Sequence, residues 1–362
     1  MNHSPTASPG GLLVIGSAAR ADVPGAGLCT VGYDGAGAMS LLRTLPLDHP
    51  SYAAVDPTRA VVHAVLEQAV GRVVSLRVDA GAGVQGPPAA AAAASGGAGP
   101  CHIAVHPSGS HVFAAHYGDG VLSAVPTGAD GTVATAEAVQ TIRHPGREAS
   151  GDLLTSPHAH MAAPSPDGRF LLCTDLGTDR VYVYAFDPDN GPLSAHRTVQ
   201  LPSGRGPRHL VFHPSARYAY VLNELSSTLT VCTWDALAGR LEPVAEVETR
   251  RDPGAPNANS AAAVRLSGDG RFLYTTNRGD DAISVHALHG DGASVELLTA
   301  VPCGGTWPRD IALTPDGRLL FCANQRSDTV TAFHRDPSTG RLSPAGEPLA
   351  ITEPTSVLPI GG

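Results

Sequence analysis

Pro166-Asp167-Gly168-Arg169-Phe170-Leu171-Leu172 and Pro315-Asp316-Gly317-Arg318-Leu319-Leu320-Phe321 are two copies of one phrase, a Pro-Asp-Gly-Arg turn leading into an apolar run. Looser copies begin at Pro57, Pro107, Pro214 and Gly268, so the phrase recurs six times at intervals of 47 to 59 residues. Pro presets the backbone for a turn, Asp bonds back to nearby amides, and Gly supplies the positive φ. Self-similarity at a period near 50 residues marks an array in which one small unit is stacked many times.

Outward from Pro214, the unit reads as four strands. His209-Leu210-Val211-Phe212 enters the turn, and Tyr218-Ala219-Tyr220-Val221-Leu222 leaves it. Thr228-Leu229-Thr230-Val231-Cys232 follows a polar turn, and a more variable strand lies near Leu241 to Val247. Short β-branched runs punctuated by Gly, Pro and Asp predict antiparallel meanders. The ends complete the count. Leu12-Leu13-Val14-Ile15-Gly16 resembles a second strand lacking its first, and Pro354-Thr355-Ser356-Val357-Leu358-Pro359 a first strand lacking the rest, matching Trp307 to Ala312. Joined, they make a seventh unit and leave no exposed sheet edge at the join. The expected fold is an all-β, seven-bladed β-propeller of four-stranded antiparallel blades, closed by the C-terminal strand, in one domain over residues 12–362. Residues 1–11 are expected to be a disordered tail, and Ala89 to Ala94 a surface loop between blades.

Composition narrows the function. A net charge of −9 argues against a nucleic-acid partner, which calls for a basic face. The six cysteines show neither a Cys-x-x-Cys pair nor metal-ligand spacing. Cys173 and Cys322 occupy equivalent apolar strand positions, where thiols act as small hydrophobes. The N-terminus lacks the basic and apolar regions of a signal peptide, and no apolar run reaches the ~20 residues of a membrane span. The expectation is a cytoplasmic protein with no membrane partner.

The anchor phrase also serves as a ruler, because equivalent positions of different blades lie at one height around a propeller axis. Six residues before each anchor stand Ser51, Cys101, His160, Arg208, Ala262 and Arg309. Five before stand Tyr52, His102, Met161, His209, Ala263 and Asp310, and ten after stand Glu67, Tyr117, Leu176, Glu224, Arg278 and Gln325. The framework repeats while these positions diversify into His, Arg and Glu, which predicts a site at the channel mouth.

Each candidate has a plainer alternative. His160 is a general acid/base or a turn-capping histidine; His158 joins it as a His-x-His pair on one strand face. Such a pair can bind metal, but no third ligand stands at a matching spacing, so no metal is expected. Arg208 and Arg309, each after a proline, form a clamp for carboxylate or phosphate or are surface loop residues. Glu224 and Arg278 are site residues or solvated charges, and the preceding Asn223 and Asn277 suit the turn itself. His102, His209 and Asp310 read as hydrogen-bonded stacking groups between blades. No Gly-x-Ser-x-Gly elbow, nucleotide-binding glycine loop or His-Glu-x-x-His motif occurs, so hydrolysis would use activated water and no cofactor.

At Gly206-Pro207-Arg208-His209-Leu210 and Tyr218 to Glu224 the chain resembles the lactonase family of seven-bladed propellers, which includes propeller-type 6-phosphogluconolactonases and carboxy-cis,cis-muconate cyclase. The likeness continues through Ser156 to His160, Asp175 to Val181, Asn277 to Asp281 and Pro308-Arg309-Asp310, and covers the chain from Leu12 onward. It implies catalytic roles for His160, Arg208, Glu224 and Arg278, and substrate contacts for His158, Arg309, His102 and Asn223. Departures are Ala263, where the family has an acidic residue, Pro57-Thr58-Arg59, which lacks the Asp-Gly turn, and Leu66, which replaces Asn before Glu67. The implied activity is metal-independent hydrolysis of a small anionic sugar lactone, 6-phosphogluconolactone first, by a monomer or weak homodimer. On that reading, Arg208 and Arg278 hold the anion, His160 deprotonates water and Glu224 tunes it. The alternatives are a muconate-type lactonising cycloisomerase or specialised-metabolism lactonase on the same site, and a non-enzymatic binding scaffold.

Overall fold

The Pro-Asp-Gly-Arg phrase folds as a self-contained clasp. Asp167 accepts the Ser165 hydroxyl at 2.6 Å and the Arg169 amide at 3.2 Å, and Gly168 takes φ 73°. Asp316 does the same with Thr314 and Arg318, at 2.5 and 3.0 Å. Two of the clasps also dock on the preceding blade: His106 meets the Gly168 carbonyl at 2.8 Å through Nε2, and His213 meets that of Gly270 at 3.1 Å. The repeated turn therefore fixes both the hairpin and the spacing between blades.

The computed structural model describes residues 10–56, 58–79, 83–86, 91–146, 156–189 and 192–360. They form seven antiparallel sheets arranged as blades around an axis. Blade 1 is split, with Pro354–Ile360 innermost, then Gly11–Ser17, Leu28–Tyr33 and Met39–Leu45. The innermost strands of blades 2 to 7 are Tyr52–Asp56, Pro100–Val105, Ala159–Pro164, Pro207–Phe212, Ala261–Leu266 and Pro308–Leu313. Neighbouring inner strands touch in that order, and Pro354–Ile360 contacts both Pro308–Leu313 and Tyr52–Asp56, so the ring is closed. The closing register runs from Leu12 opposite Ile360 to Ser17 opposite Pro354.

Seven apolar clusters make up the core, and each is a wedge between adjacent blades. Ile15, Phe321 and Val357 sit in the wedge between blades 7 and 1, and Tyr220, Leu229 and Leu273 between blades 5 and 6. The structure thus has the expected fold and closure. The tail expected at residues 1–11 lies outside the described residues up to residue 9, and Gly11 already belongs to a strand. One expectation is corrected. Ala92–Ala94 is no loop but an outer strand of blade 2 paired with Arg72 to Val74, and Ala93 is fully buried. Ala93 packs with Val65, Val73 and Val133 in the wedge between blades 2 and 3; residues 87–90 lie outside the described residues. Among the described residues, no helix is long and apolar enough to cross a membrane.

Candidate active site

One irregularity recurs in the inner strands where the ruler predicts a site. In blade 4, Ala159 pairs with Asp175 and Met161 with Thr174, leaving His160 unpaired. Arg208 is skipped between Pro207 and His209, and Arg309 between Pro308 and Asp310. Cys101 and Thr355 are skipped likewise in blades 3 and 1, and Ala262 with Ala263 in blade 6. A bulge frees one residue from the ladder and re-aims its side chain. Five of the six residues that stand six before an anchor are therefore bulge residues, the exception being Ser51, which precedes its strand. Strict alternation fails there, and with it the His-x-His reading: His158 precedes the strand and His160 is its bulge.

His160, Arg208, Glu224, Arg278 and Arg309 line one cavity of about 270 Å³. The rest of its wall is Glu67, Cys101 and Tyr117, all from the same two rows. The cavity shares Arg278 and Arg309 with an outer space of about 670 Å³ lined also by Trp307, Gln325, Arg326, Asp328 and Glu353. Together they are the size of a small-molecule site, about 300–1,000 Å³.

The charges are tightly arranged. Glu224 bridges two arginines, with Oε2 3.0 Å from Arg208 Nε and Oε1 2.8 Å from Arg278 Nη2. Arg208 also donates to the Ala262 carbonyl and, at 3.1 Å, to His209 Nε2. Arg278 donates to the carbonyls of Ser260 and Ala261 at 3.2 and 3.3 Å. Burial, reinforced by Arg278, pushes Arg208 down to about 10, so it stays charged at neutral pH. Burial likewise holds His160 well below its usual value, and Arg208, Arg309, His102 and Arg278 add to the effect. His160 is neutral in the free protein, and its Nδ1 is buried without a hydrogen-bond partner among the described residues. Three arginines against two glutamates leave the cavity one positive charge in excess.

The other predicted contacts are placed elsewhere. His158 is not on the cavity wall; its ring stacks on Tyr117 at 4.5 Å and Nδ1 meets the Tyr117 carbonyl at 2.6 Å. His102 is not on the cavity wall; its ring is tilted against Tyr52 at 4.4 Å and lies beside His209 at 5.7 Å, with burial pulling it down to about 3. Asn223 lies outside the cavity lining. Fully buried, it donates to Thr228 and Thr230 hydroxyls at 3.0 and 2.8 Å and pins its own blade. Glu224 is occupied by its two arginines. Trp307 and Arg326 were missed. The Arg326 guanidinium lies 3.4 Å from the Trp307 ring centre, and Trp307 holds φ 66°, rare for a bulky residue. The signal available was Trp307 standing two residues before Arg309.

The buried histidines give a testable pH dependence. His63 and His286 sit at about 4 and His102 at about 3, all lowered first by burial. A lowered folded value means the unfolded chain binds the proton first, so stability is full above about pH 6.5 and is lost as pH falls from there toward 3. Each group then contributes a slope of about 1.4 kcal/mol per pH unit. The melting temperature is expected to fall steadily from pH 6.5 to 4.5, above the range where most carboxylates titrate. A flat calorimetric profile across that window would contradict the burial of these rings.

Among the described residues, no group of three or more His, Cys, Asp or Glu is arranged to hold a metal ion. Comparison with known proteins agrees with the architecture. The chain is 28% identical over 324 residues to the 6-phosphogluconolactonase of Bacillus subtilis, covering 86% of this chain and 87% of that one. A periplasmic gluconolactonase of Pseudomonas aeruginosa superposes with TM-score 0.89 at 30% identity, over 97% of this chain and 99% of its own. A putative 6-phosphogluconolactonase of Bacteroides uniformis gives TM-score 0.85 at 27% identity, over 96% and 99%. The family model described as "Lactonase, 7-bladed beta-propeller" matches residues 13–359, nearly the whole ring, and on this ground the chain belongs to the lactonase family of seven-bladed β-propellers.

Proposed function

We propose that this lactonase hydrolyses a small anionic sugar lactone, 6-phosphogluconolactone first, without a metal ion. The observation that carries the reading is the convergence of Arg208, Arg278 and Arg309 on one cavity whose only histidine is neutral. Arg208 and Arg278, held side by side by Glu224, present guanidinium hydrogens to the lactone carbonyl and stabilise the oxyanion formed when water adds. Arg309, on the wall shared with the outer space, is placed to pair with the phosphate, and its one side-chain bond, to Gln325 at 3.4 Å, is weak enough to yield. His160 offers a neutral ring nitrogen for hydrogen bonding at the reacting centre.

The names of the Bacillus and Bacteroides relatives support the phosphorylated substrate, and that of the Pseudomonas relative supports the unphosphorylated one. Six unpaired, buried cysteines suit a reducing cytoplasm, as expected from the sequence, although the Pseudomonas relative is named periplasmic. The test is acid release in a pH-stat from 6-phosphogluconolactone, gluconolactone and a muconate-type dicarboxylate, with and without chelator. The expected result is fastest turnover of the phosphorylated lactone, unchanged by chelator. Preference for gluconolactone would remove the phosphate assignment, chelator inhibition would remove metal independence, and loss of diene absorbance would favour the cycloisomerase.

A further inference from the structure

The reaction above leaves one charged group of the cavity without a task. Glu67 lines it at the end of the second strand of blade 2, in the row that supplies Glu224 and Arg278 in blades 5 and 6. The two carboxylates differ in their surroundings. Glu224 is held by two guanidinium groups, which stabilise its negative charge and remove its lone pairs from use. Among the described residues no hydrogen bond or ion pair holds the Glu67 carboxylate, which is half-buried in the wall. The ring order adds direction. In a closed ring of seven blades, the point opposite blade 2 falls between blades 5 and 6, where Arg208 and Arg278 stand. A carbonyl lying on that arginine pair turns its carbon back across the funnel toward Glu67.

Resting on the lactonase reading, we infer that Glu67 is the general base that takes the proton from the attacking water. The water oxygen bonds to the lactone carbon as one of its hydrogens passes to Glu67. The carbonyl π pair moves to the oxygen held by Arg208 and Arg278. When the tetrahedral intermediate collapses, the bond from carbon to ring oxygen breaks, and the proton on Glu67 returns to that departing oxygen. The hydroxy acid formed then ionises, which accounts for the acid released. His160 serves as a hydrogen-bonding partner, because burial, with the arginines adding to it, holds its basicity down. The Glu67 carboxylate has lone pairs that no partner occupies, so it is free to take the proton.

The experiment compares Glu67→Gln, Glu67→Asp and wild type on 6-phosphogluconolactone, with kcat and KM measured across pH and melting temperature as a check on folding. Glu67→Gln is expected to lower kcat about 10²–10⁴-fold with little change in KM, the usual range for loss of a general base. Its acid limb disappears, and the residual rate rises with hydroxide concentration. Glu67→Asp recovers part of kcat, and all three proteins melt alike because no ion pair is broken. An active wild type with equal kcat in Glu67→Gln overturns the role of Glu67 alone. A wild type inert to every lactone overturns the lactonase reading and this role together.

Discussion

Arg208→Ala is expected to lower kcat/KM for the lactone about a thousandfold, the upper range for loss of one oxyanion donor. Arg208 is buried to 3% exposure and holds three partners at once: Glu224, the Ala262 carbonyl and His209. Without it Glu224 keeps only Arg278, and the second donor for the developing negative charge is lost. Stability should fall as well, by about 3–5 kcal/mol, because removing one partner leaves Glu224 and the Ala262 carbonyl buried with fewer partners, so turnover is compared at a temperature where the variant is folded. Arg208→Lys is expected to fare little better, because one ammonium nitrogen cannot span partners set around a planar fork. Steady-state kinetics with thermal denaturation checks both statements, and wild-type turnover in Arg208→Ala would remove the oxyanion assignment.

The second large effect concerns the ring. Removing residues 354–362 takes away the innermost strand of blade 1, and the shortened chain is expected to lose its cooperative unfolding transition. Val357 and Ile360 are buried at 2% and 3% exposure in two different wedges, beside Ile15 and Phe321 and beside Val14 and Leu28. The Val357 amide donates to Asp310 at 3.1 Å, and the Thr355 hydroxyl to the Ser51 carbonyl at 2.8 Å. Deletion breaks these links to blades 7 and 2 and uncovers the edge of Gly11–Ser17. The losses together compare with the whole stability of an ordinary domain, about 5–15 kcal/mol. Ile360→Ala is the graded form, expected to destabilise by about 2–5 kcal/mol. A sharp wild-type melting transition in the truncated protein would show that the other blades hold the ring without closure.

Much of the site was legible because the ruler measures height along the axis. His160, Arg208 and Arg309 share one row and Glu224 and Arg278 another, and all five reached one cavity. Glu67, Cys101 and Tyr117 stood on the same rows but were given no role, since nothing in a linear count distinguishes a wall residue from a catalytic one. His158 and Asn223 show the reverse relation. Each adjoins a site residue in sequence, yet its hydrogen bonds turn it into the blade or the loop. The bulges were invisible as well, because a skipped pairing depends on the partner strand.

The repeated Pro-Asp-Gly-Arg phrase determines the strand order, the blade count and the closing strand, since turn chemistry and a two-residue side-chain period are local and repeat with the sequence. Only the tertiary structure decided which charges pair and which stay free. Closing the ring sets Glu224 between Arg208 and Arg278, and leaves Glu67 across the funnel from them with its carboxylate unheld. Those relations join residues from 16 to 211 positions apart, and Coulomb's law acts on their distance in space.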